Sequence, residues 1–243
     1  MTGGDGGSPT ATATRRRLLS TLGAGATLPA VGTVALAGCT DDTESTSRSD
    51  HPAFEATDGT PHLGPPVADA ETAIVAFEDP SCDSCARFAV DTLPQLRSEA
   101  IDPGRTAYLW RAAPAVEPWG WPASRALFAV HRRDSEGFWT LKGRYYESRS
   151  SITAETVVDR TVEFIESGAA DVDPAVVVDA MADGEDDTSD DPAVADRIAA
   201  DGTAADATNV EVVPSFALFR DEEFVTVVSG NQPYEVFEGA LEL

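Results

Sequence analysis

Ala73-Ile74-Val75-Ala76-Phe77-Glu78-Asp79-Pro80-Ser81-Cys82-Asp83-Ser84-Cys85 is the stretch that decides the fold. Its first half is a short apolar run rich in strand formers, which predicts a buried strand over Glu71–Glu78. Beyond it, the spacing of Phe88, Leu93 and Leu96 predicts a helix over Cys82–Ala100, kinked at Pro94. Two thiols three residues apart, placed where a strand hands over to a helix, have the layout of a thiol–disulfide redox site. The spacing lets the two sulfurs close into a small ring. Cys82 also stands where unpaired backbone N–H groups and the helix dipole favour a thiolate, the reacting species of a thiol.

Outward from this stretch, Arg105–Arg111 reads as a second strand. It completes a β-α-β unit whose crossover is expected to be right-handed. The middle of the chain reads as helical over Pro122–Arg133, Phe138–Tyr146 and Ala154–Ser167, the last with Val157, Val158, Val162, Phe164 and Ile165 mostly on one side. Asp173-Pro174 and Asp191-Pro192 are each an N-cap followed by proline in the first turn. They predict helices over Pro174–Ala182 and Pro192–Ala205, separated by the acidic run 183–191. That run lacks the spacing and the closing Glu of a calcium loop and reads as solvated. Ser215–Arg220 and Phe224–Val228 predict a hairpin across the turn Asp221-Glu222-Glu223. Tyr234–Leu241 predicts a closing helix with Val236, Phe237, Ala240 and Leu241 inward.

The N-terminal forty residues read as an address. Arg15-Arg16-Arg17 is a twin-arginine start, and no charged residue follows from Leu18 to Thr40. The small and helix-breaking residues in that run predict a cleavable export signal over 1–38. Leu36-Ala37-Gly38-Cys39 resembles the lipobox of lipoproteins, which implies that Cys39 becomes the lipidated N-terminus. The run is also long enough for an uncleaved anchor helix. Both readings put the rest of the chain outside the cytoplasm, tethered to the cell membrane. One acyl chain holds weakly, so a lipid anchor here implies several chains. Residues 39–69, rich in Asp, Thr, Ser, Pro and Gly, read as a flexible acidic spacer. Residues 70–243 suit one domain.

The formal net charge is −25. The segment 1–38 holds one acid, Asp5, and three arginines; the 41 acidic and 14 basic residues left over carry −27. Lys142 is the only lysine. Such a charge repels itself in dilute salt and is screened at molar salt, where the Debye length falls to about 3 Å. An acidic, lysine-poor chain resembles the proteins of salt-loving archaea; an ordinary acidic secreted protein is the other reading. With no basic patch to neutralise phosphates, the composition argues against a nucleic-acid partner.

The element order, with C-x-x-C at the first helix and Val213-Pro214 before the third strand, resembles the thioredoxin superfamily. The helical block at about 113–208 resembles the DsbA-like branch of thiol–disulfide oxidoreductases. The resemblance implies an α/β thioredoxin-like fold, β-α-β then β-β-α, with an inserted helical subdomain. It implies that Cys82 is the nucleophile, that Cys85 resolves the mixed disulfide, and that Pro214 is cis and lies against the pair. The sequence departs from the family pattern in two places. The dipeptide between the cysteines is Asp-Ser, and a carboxylate there opposes thiolate formation. The position six before Cys82, where some members bury an acid, is Ala76. Glu78 and Asp79 are the nearest candidates for proton transfer, and Asp79-Pro80 equally suits a turn into the helix.

These residues predict dithiol–disulfide exchange with exported protein clients and a redox partner, with oxidation favoured outside the membrane and no metal or organic cofactor required. Two other readings stand beside it. C-x-x-C is half of a zinc or copper site, with His51, His62 and His131 as the only histidines to complete it. A tethered binding or scaffold lipoprotein on a thioredoxin fold is the non-enzymatic alternative. Trp110, Trp119, Trp121 and Trp139 read as packing, and Pro118-Trp119-Gly120-Trp121-Pro122 as either packing or the rim of a peptide groove.

Overall fold

In this computed structural model, residues 46–182 and 192–243 are described. The export signal, Cys39 and the acidic run 183–191 lie outside them. The architecture is a five-stranded sheet in the order β1-β3-β2-β4-β5, built from β1 (His62–Leu63), β2 (Thr72–Glu78), β3 (Thr106–Ala112), β4 (Ser215–Arg220) and β5 (Glu223–Ser229). β2 is central. It pairs in parallel with β3 (Ala76 beside Trp110) and antiparallel with β4 (Ala76 beside Phe216). Every residue of β2 and β3 is buried, as continuous apolar runs require when both faces are covered.

Side chains alternate between the two faces. Ile74, Ala76, Tyr108, Phe216 and Leu218 point to one side, where they pack with Phe88 and Phe237. Those two rings come from α1 (Asp83–Asp91) and α8 (Tyr234–Leu241). Ala73, Val75, Phe77, Leu109 and Phe219 point to the other, under Ala204 and Ala205 of α7 (Pro192–Ala207). The helical insertion supplies α3 (Gly120–His131), α4 (Ser135–Ser148), α5 (Val157–Phe164) and α6 (Pro174–Met181). It has its own core around Leu127, Phe138, Tyr145 and Val177, which reaches the sheet through Trp110 and Ala112.

Two expectations need correction and one is refined. The expected flexible spacer ends well before residue 69. From Ser47 onward the chain is packed: Arg48 and Ala53 are buried, and β1 pairs antiparallel with β3. The cause is polar rather than periodic. The fully buried Arg111 guanidinium donates to the carbonyls of Ala53 and Glu55, each at 2.8 Å, and to Asp201 of α7 at 2.8 Å. Asp201 also accepts from Ala112 N–H at 2.9 Å, and Arg197 adds a bond to Thr60. Burial pushes the Asp201 carboxyl up and the Arg111 guanidinium down. Second, the kink expected at Pro94 is present and only its place is refined: the helix breaks at Thr92 and resumes as α2 (Leu93–Leu96) and a π-helical turn over Arg97–Ile101. The proline ring displaces the carbonyl one turn back, so the distortion precedes it; Thr92 Oγ1 donates to the Gln232 carbonyl at 2.7 Å. Third, Val236 lies outward, 37 % exposed. The buried stripe of α8 is Tyr234, Phe237 and Leu241, at the i, i+3, i+7 spacing of a helix face.

Candidate active site

β2 ends at Glu78, and the chain turns over Asp79-Pro80-Ser81 into α1, with Cys82 as its N-cap. The turn is made by Asp79. One carboxylate oxygen accepts from the N–H and the hydroxyl of Ser81, both at 2.7 Å. The other accepts from the N–H groups of Ala115 and Val116, both at 2.8 Å. The aspartate thus shapes the cysteine loop and staples it to the segment after β3. Gly120 makes room, since a Cβ there would lie 2.5 Å from Asp79 Oδ1.

Both thiols are free, and their surroundings differ. Both are buried, but Cys82 keeps 4 % of its surface exposed and Cys85 none. Cys82 Sγ accepts from the Cys85 N–H at 3.3 Å and donates to the Val213 carbonyl at 3.5 Å. A hydrogen bond from the Cys85 side chain pulls the Cys82 thiol down to about 7, helped by the backbone N–H groups of Cys85 and Ser84 and opposed by burial and the Asp79 charge. Burial pushes Cys85 far above the ordinary thiol range; its bond to Cys82 and the Glu78 carboxylate push the same way. Val213-Pro214 is cis, as the resemblance implied, and Val213 packs against the pair.

Beneath the pair lies a closed polar cluster. Glu78 is fully buried. Its Oε1 accepts from the Tyr108 hydroxyl at 2.6 Å and from Lys142 Nζ at 2.9 Å, and its Oε2 from the Tyr146 hydroxyl at 2.6 Å. Lys142 and Tyr146 come from α4, so the insertion reaches into the thioredoxin-like core at this point. The Lys142 ammonium also lies over the rings of Trp139 and Tyr146, at 5.2 and 5.3 Å. Burial first, and then the Glu78 charge, raise both tyrosines well above the ordinary phenol range.

Asp83, between the cysteines, is clamped from outside. Arg149, just past α4, sets Nε 2.5 Å from Oδ1, brings Nη2 to the same oxygen, and donates through Nη1 to the Tyr146 carbonyl at 2.8 Å. Arg87 takes Oδ2. The Arg149 hydrogen bond is the main reason the Asp83 carboxyl lies below its ordinary range.

Two clefts meet the cysteine loop. One reaches it through Val213 and is lined by Pro114, Trp121, Ile198 and Val212; the other reaches it through Ser81 and Asp83 and is lined by Val116, Glu117 and Arg149. Trp121 is 47 % exposed at a rim, whereas Trp119 is buried and packs beside Tyr145. In the five-residue aromatic segment, Trp119 thus packs inside and Trp121 lines a cleft. The histidines are dispersed: His51 stacks on Phe224, His62 is in β1, and His131 packs on Phe138. Among the described residues, no three of His, Cys, Asp and Glu gather around a point suited to an ion.

The structure brings together Cys82, Cys85, Val213, Glu78 and Asp79, and Pro214 follows Val213 through the cis bond. Sequence reasoning missed Lys142, Tyr108, Tyr146 and Arg149. Lys142 carried a signal, being the only lysine, in a helix of aromatic neighbours.

A family model described as Thioredoxin matches residues 56–242. Among curated proteins, the probable disulfide bond formation protein D of Bacillus anthracis is 28 % identical over 91 residues, 37 % of this chain and 42 % of that one. The protein of the same description from Bacillus cereus is 26 % identical over 91 residues. The chain thus spans under half the length of these curated relatives. Among solved structures, BdbD from Bacillus subtilis in its oxidised form superposes with a TM-score of 0.63 at 19 % identity, covering 77 % of this chain and 93 % of that one. The thiol-disulfide exchange protein α-DsbA2 from Wolbachia pipientis gives 0.60 at 18 % identity, over 79 % of this chain and 89 % of that one. These structures share the fold. With the family match running over most of its length, the chain belongs to the thioredoxin family.

Proposed function

We propose that this chain is an extracytoplasmic thiol–disulfide oxidoreductase, held at the cell membrane through Cys39, that exchanges disulfides with exported proteins. One observation carries the reading: Cys82 caps the N-terminus of α1, accepts the Cys85 N–H and keeps a little exposure, while its partner Cys85 is fully buried; the Cys82 thiol is accordingly drawn down to about 7 and burial pushes Cys85 up. That asymmetry suits a nucleophile and a resolving thiol. The similarity to proteins described as disulfide bond formation protein D supports it.

In the reducing direction, the Cys82 thiolate attacks one sulfur of a client disulfide. A Cys82–client disulfide forms, and the other client sulfur leaves as a thiolate. Cys85 gives up its proton and attacks the Cys82 sulfur. The mixed disulfide breaks, and the Cys82–Cys85 disulfide and a reduced client result. Run backwards, the same steps oxidise a client dithiol, and a redox partner restores the disulfide. Oxidation is the direction suited to a compartment outside the membrane. We assign Glu78 the task of receiving the Cys85 proton. Its charge acts on Cys85, whereas that of Asp79 acts on Cys82; taking the proton means exchanging one of the bonds Glu78 accepts from Tyr108, Lys142 and Tyr146. Val213 and Pro214 are assigned to the client's main chain, because proline leaves a neighbouring backbone edge without an N–H donor.

The test is trapping. Cys85→Ala should accumulate mixed disulfides at Cys82 with exported proteins, and Cys82→Ala should accumulate none. Absence of any trapped client, together with a wild-type pair that resists glutathione, would favour the scaffold reading, to which the 4 % exposure of Cys82 otherwise lends weight.

A further inference from the structure

The dipeptide between the cysteines holds an acid, and an acid beside a sulfur opposes its ionisation. At Cys82 the bonds from Cys85 and Ser84 already work against burial and the Asp79 charge, and a second uncovered carboxylate would add to the opposition. We infer that Arg149, carried to the cysteine loop by the helical insertion, is a positioning residue that neutralises Asp83 and so keeps the Cys82 thiolate available.

The geometry is a fork with an anchor. Nε and Nη2 of Arg149 both meet Asp83 Oδ1, while Nη1 is fixed to the Tyr146 carbonyl. A guanidinium held at three points presents its charge in one place, which a lysine ammonium does not do. The other groups around Cys82 are accounted for differently. Cys85 and the Val213 carbonyl bond the sulfur itself. Asp79 is held by four neutral donors and its charge still opposes the Cys82 thiolate, whereas Glu78 is matched by Lys142 beneath the pair. Tyr146 is held by Glu78, and Glu117 lines the cleft that Asp83 and Arg149 share. Arg87 meets Asp83 from one turn along α1 and covers only Oδ2. Without Arg149, Oδ1 of Asp83, the residue that follows Cys82 in the chain, would lose its cation. The inference rests on the redox reading of Cys82, yet it concerns the acidity of that thiol and is testable apart from turnover.

The experiment is a double-mutant cycle on the full chain, with iodoacetamide alkylation read at Cys82 by peptide mass spectrometry at pH 6. It is run in a salt where all variants share the wild-type circular dichroism. Below the Cys82 pKa the rate follows the thiolate fraction, so a rise of about half a unit slows it about threefold. Arg149→Gln should show that loss and Arg149→Lys part of it. Asp83→Asn alone should react at or above the wild-type rate. Arg149→Gln in the Asp83→Asn background should then cost nothing further. An unchanged rate in Arg149→Gln, or the same loss persisting once Asp83 is gone, would overturn the inference. Failure of glutathione exchange in the wild type would count against the proposed function and leaves the outcome of the cycle intact.

Discussion

Glu78 and Lys142, the acid at the end of β2 and the only lysine in the chain, meet at 2.9 Å with neither side chain more than 3 % exposed. They are 64 residues apart and belong to different layers. The pair joins the insertion to the central strand at the level of the cysteines, where an unpaired charge would be most costly.

Lys142→Met should therefore destabilise the reduced protein by about 3–5 kcal/mol, because it strands a buried carboxylate. The double variant Lys142→Met/Glu78→Gln, which removes the stranded charge and keeps a polar partner for the Tyr108 and Tyr146 hydroxyls, should recover much of that loss. Denaturant unfolding of the single and double variants in one salt is the check. A single variant as stable as the double would show that the carboxylate does not need its partner.

The alkylation rate of Cys82 should climb about tenfold per pH unit below 7 and level off above it, because the thiolate is the reacting form and the thiol lies at about 7. The sign follows from a lowered value: the reduced folded form gains from Cys82 as pH rises past 7 toward the unfolded thiol's range. Cys85 should stay unmodified until the protein is unfolded, since burial holds it protonated. A profile with its midpoint at the ordinary thiol value of about 8.5 would contradict the N-cap placement.

A chain begun at Ala70 should fold poorly beside one begun at Thr46. The shorter one lacks the carbonyls of Ala53 and Glu55 that Arg111 uses, and the strand β1. Asp201→Ala, which breaks the same buried cluster from the α7 side, should cost about 3–5 kcal/mol. Comparison of thermal midpoints would show it, and equal midpoints for the two chain lengths would argue that the N-terminal latch is idle.

Gly120→Ala should loosen the cysteine loop. The added methyl would stand 2.5 Å from Asp79 Oδ1 and 3.0 Å from Ser81 Oγ, so the staple on Ala115 and Val116 must shift. Overpacking of this kind costs about 1–3 kcal/mol, and a melting temperature unchanged from the wild type would disprove it.

The thermal midpoint should rise steeply with added potassium chloride, because a chain of net charge −25 repels itself until salt screens it. A midpoint already at its plateau in dilute buffer would remove the salt-loving reading.

Much of this was legible in the sequence where the signal was local. β2, β3, the hairpin and α8 announce themselves by apolar runs and turn residues, and the cysteines by their spacing. The cis bond at Val213-Pro214 came from the family resemblance. What stayed hidden depends on partners distant in the chain. The segment from Ser47 to Leu63 has no periodicity, because it is held by carbonyls that accept from Arg111 and Arg197, and composition alone resembles a spacer. Asp79 and Glu78 could not be ranked until one was seen stapling a loop and the other lying under Cys85. The clamp on Asp83 needed Arg149, 66 residues away.

The burial of Lys142 has a practical side. The folded chain offers no accessible ε-amine, so succinimidyl esters would find almost nothing on its side chains to label. Attempts to capture neighbours by amine cross-linking would return empty even from a genuine complex; carboxylate-directed carbodiimide or photoreactive probes suit this surface instead.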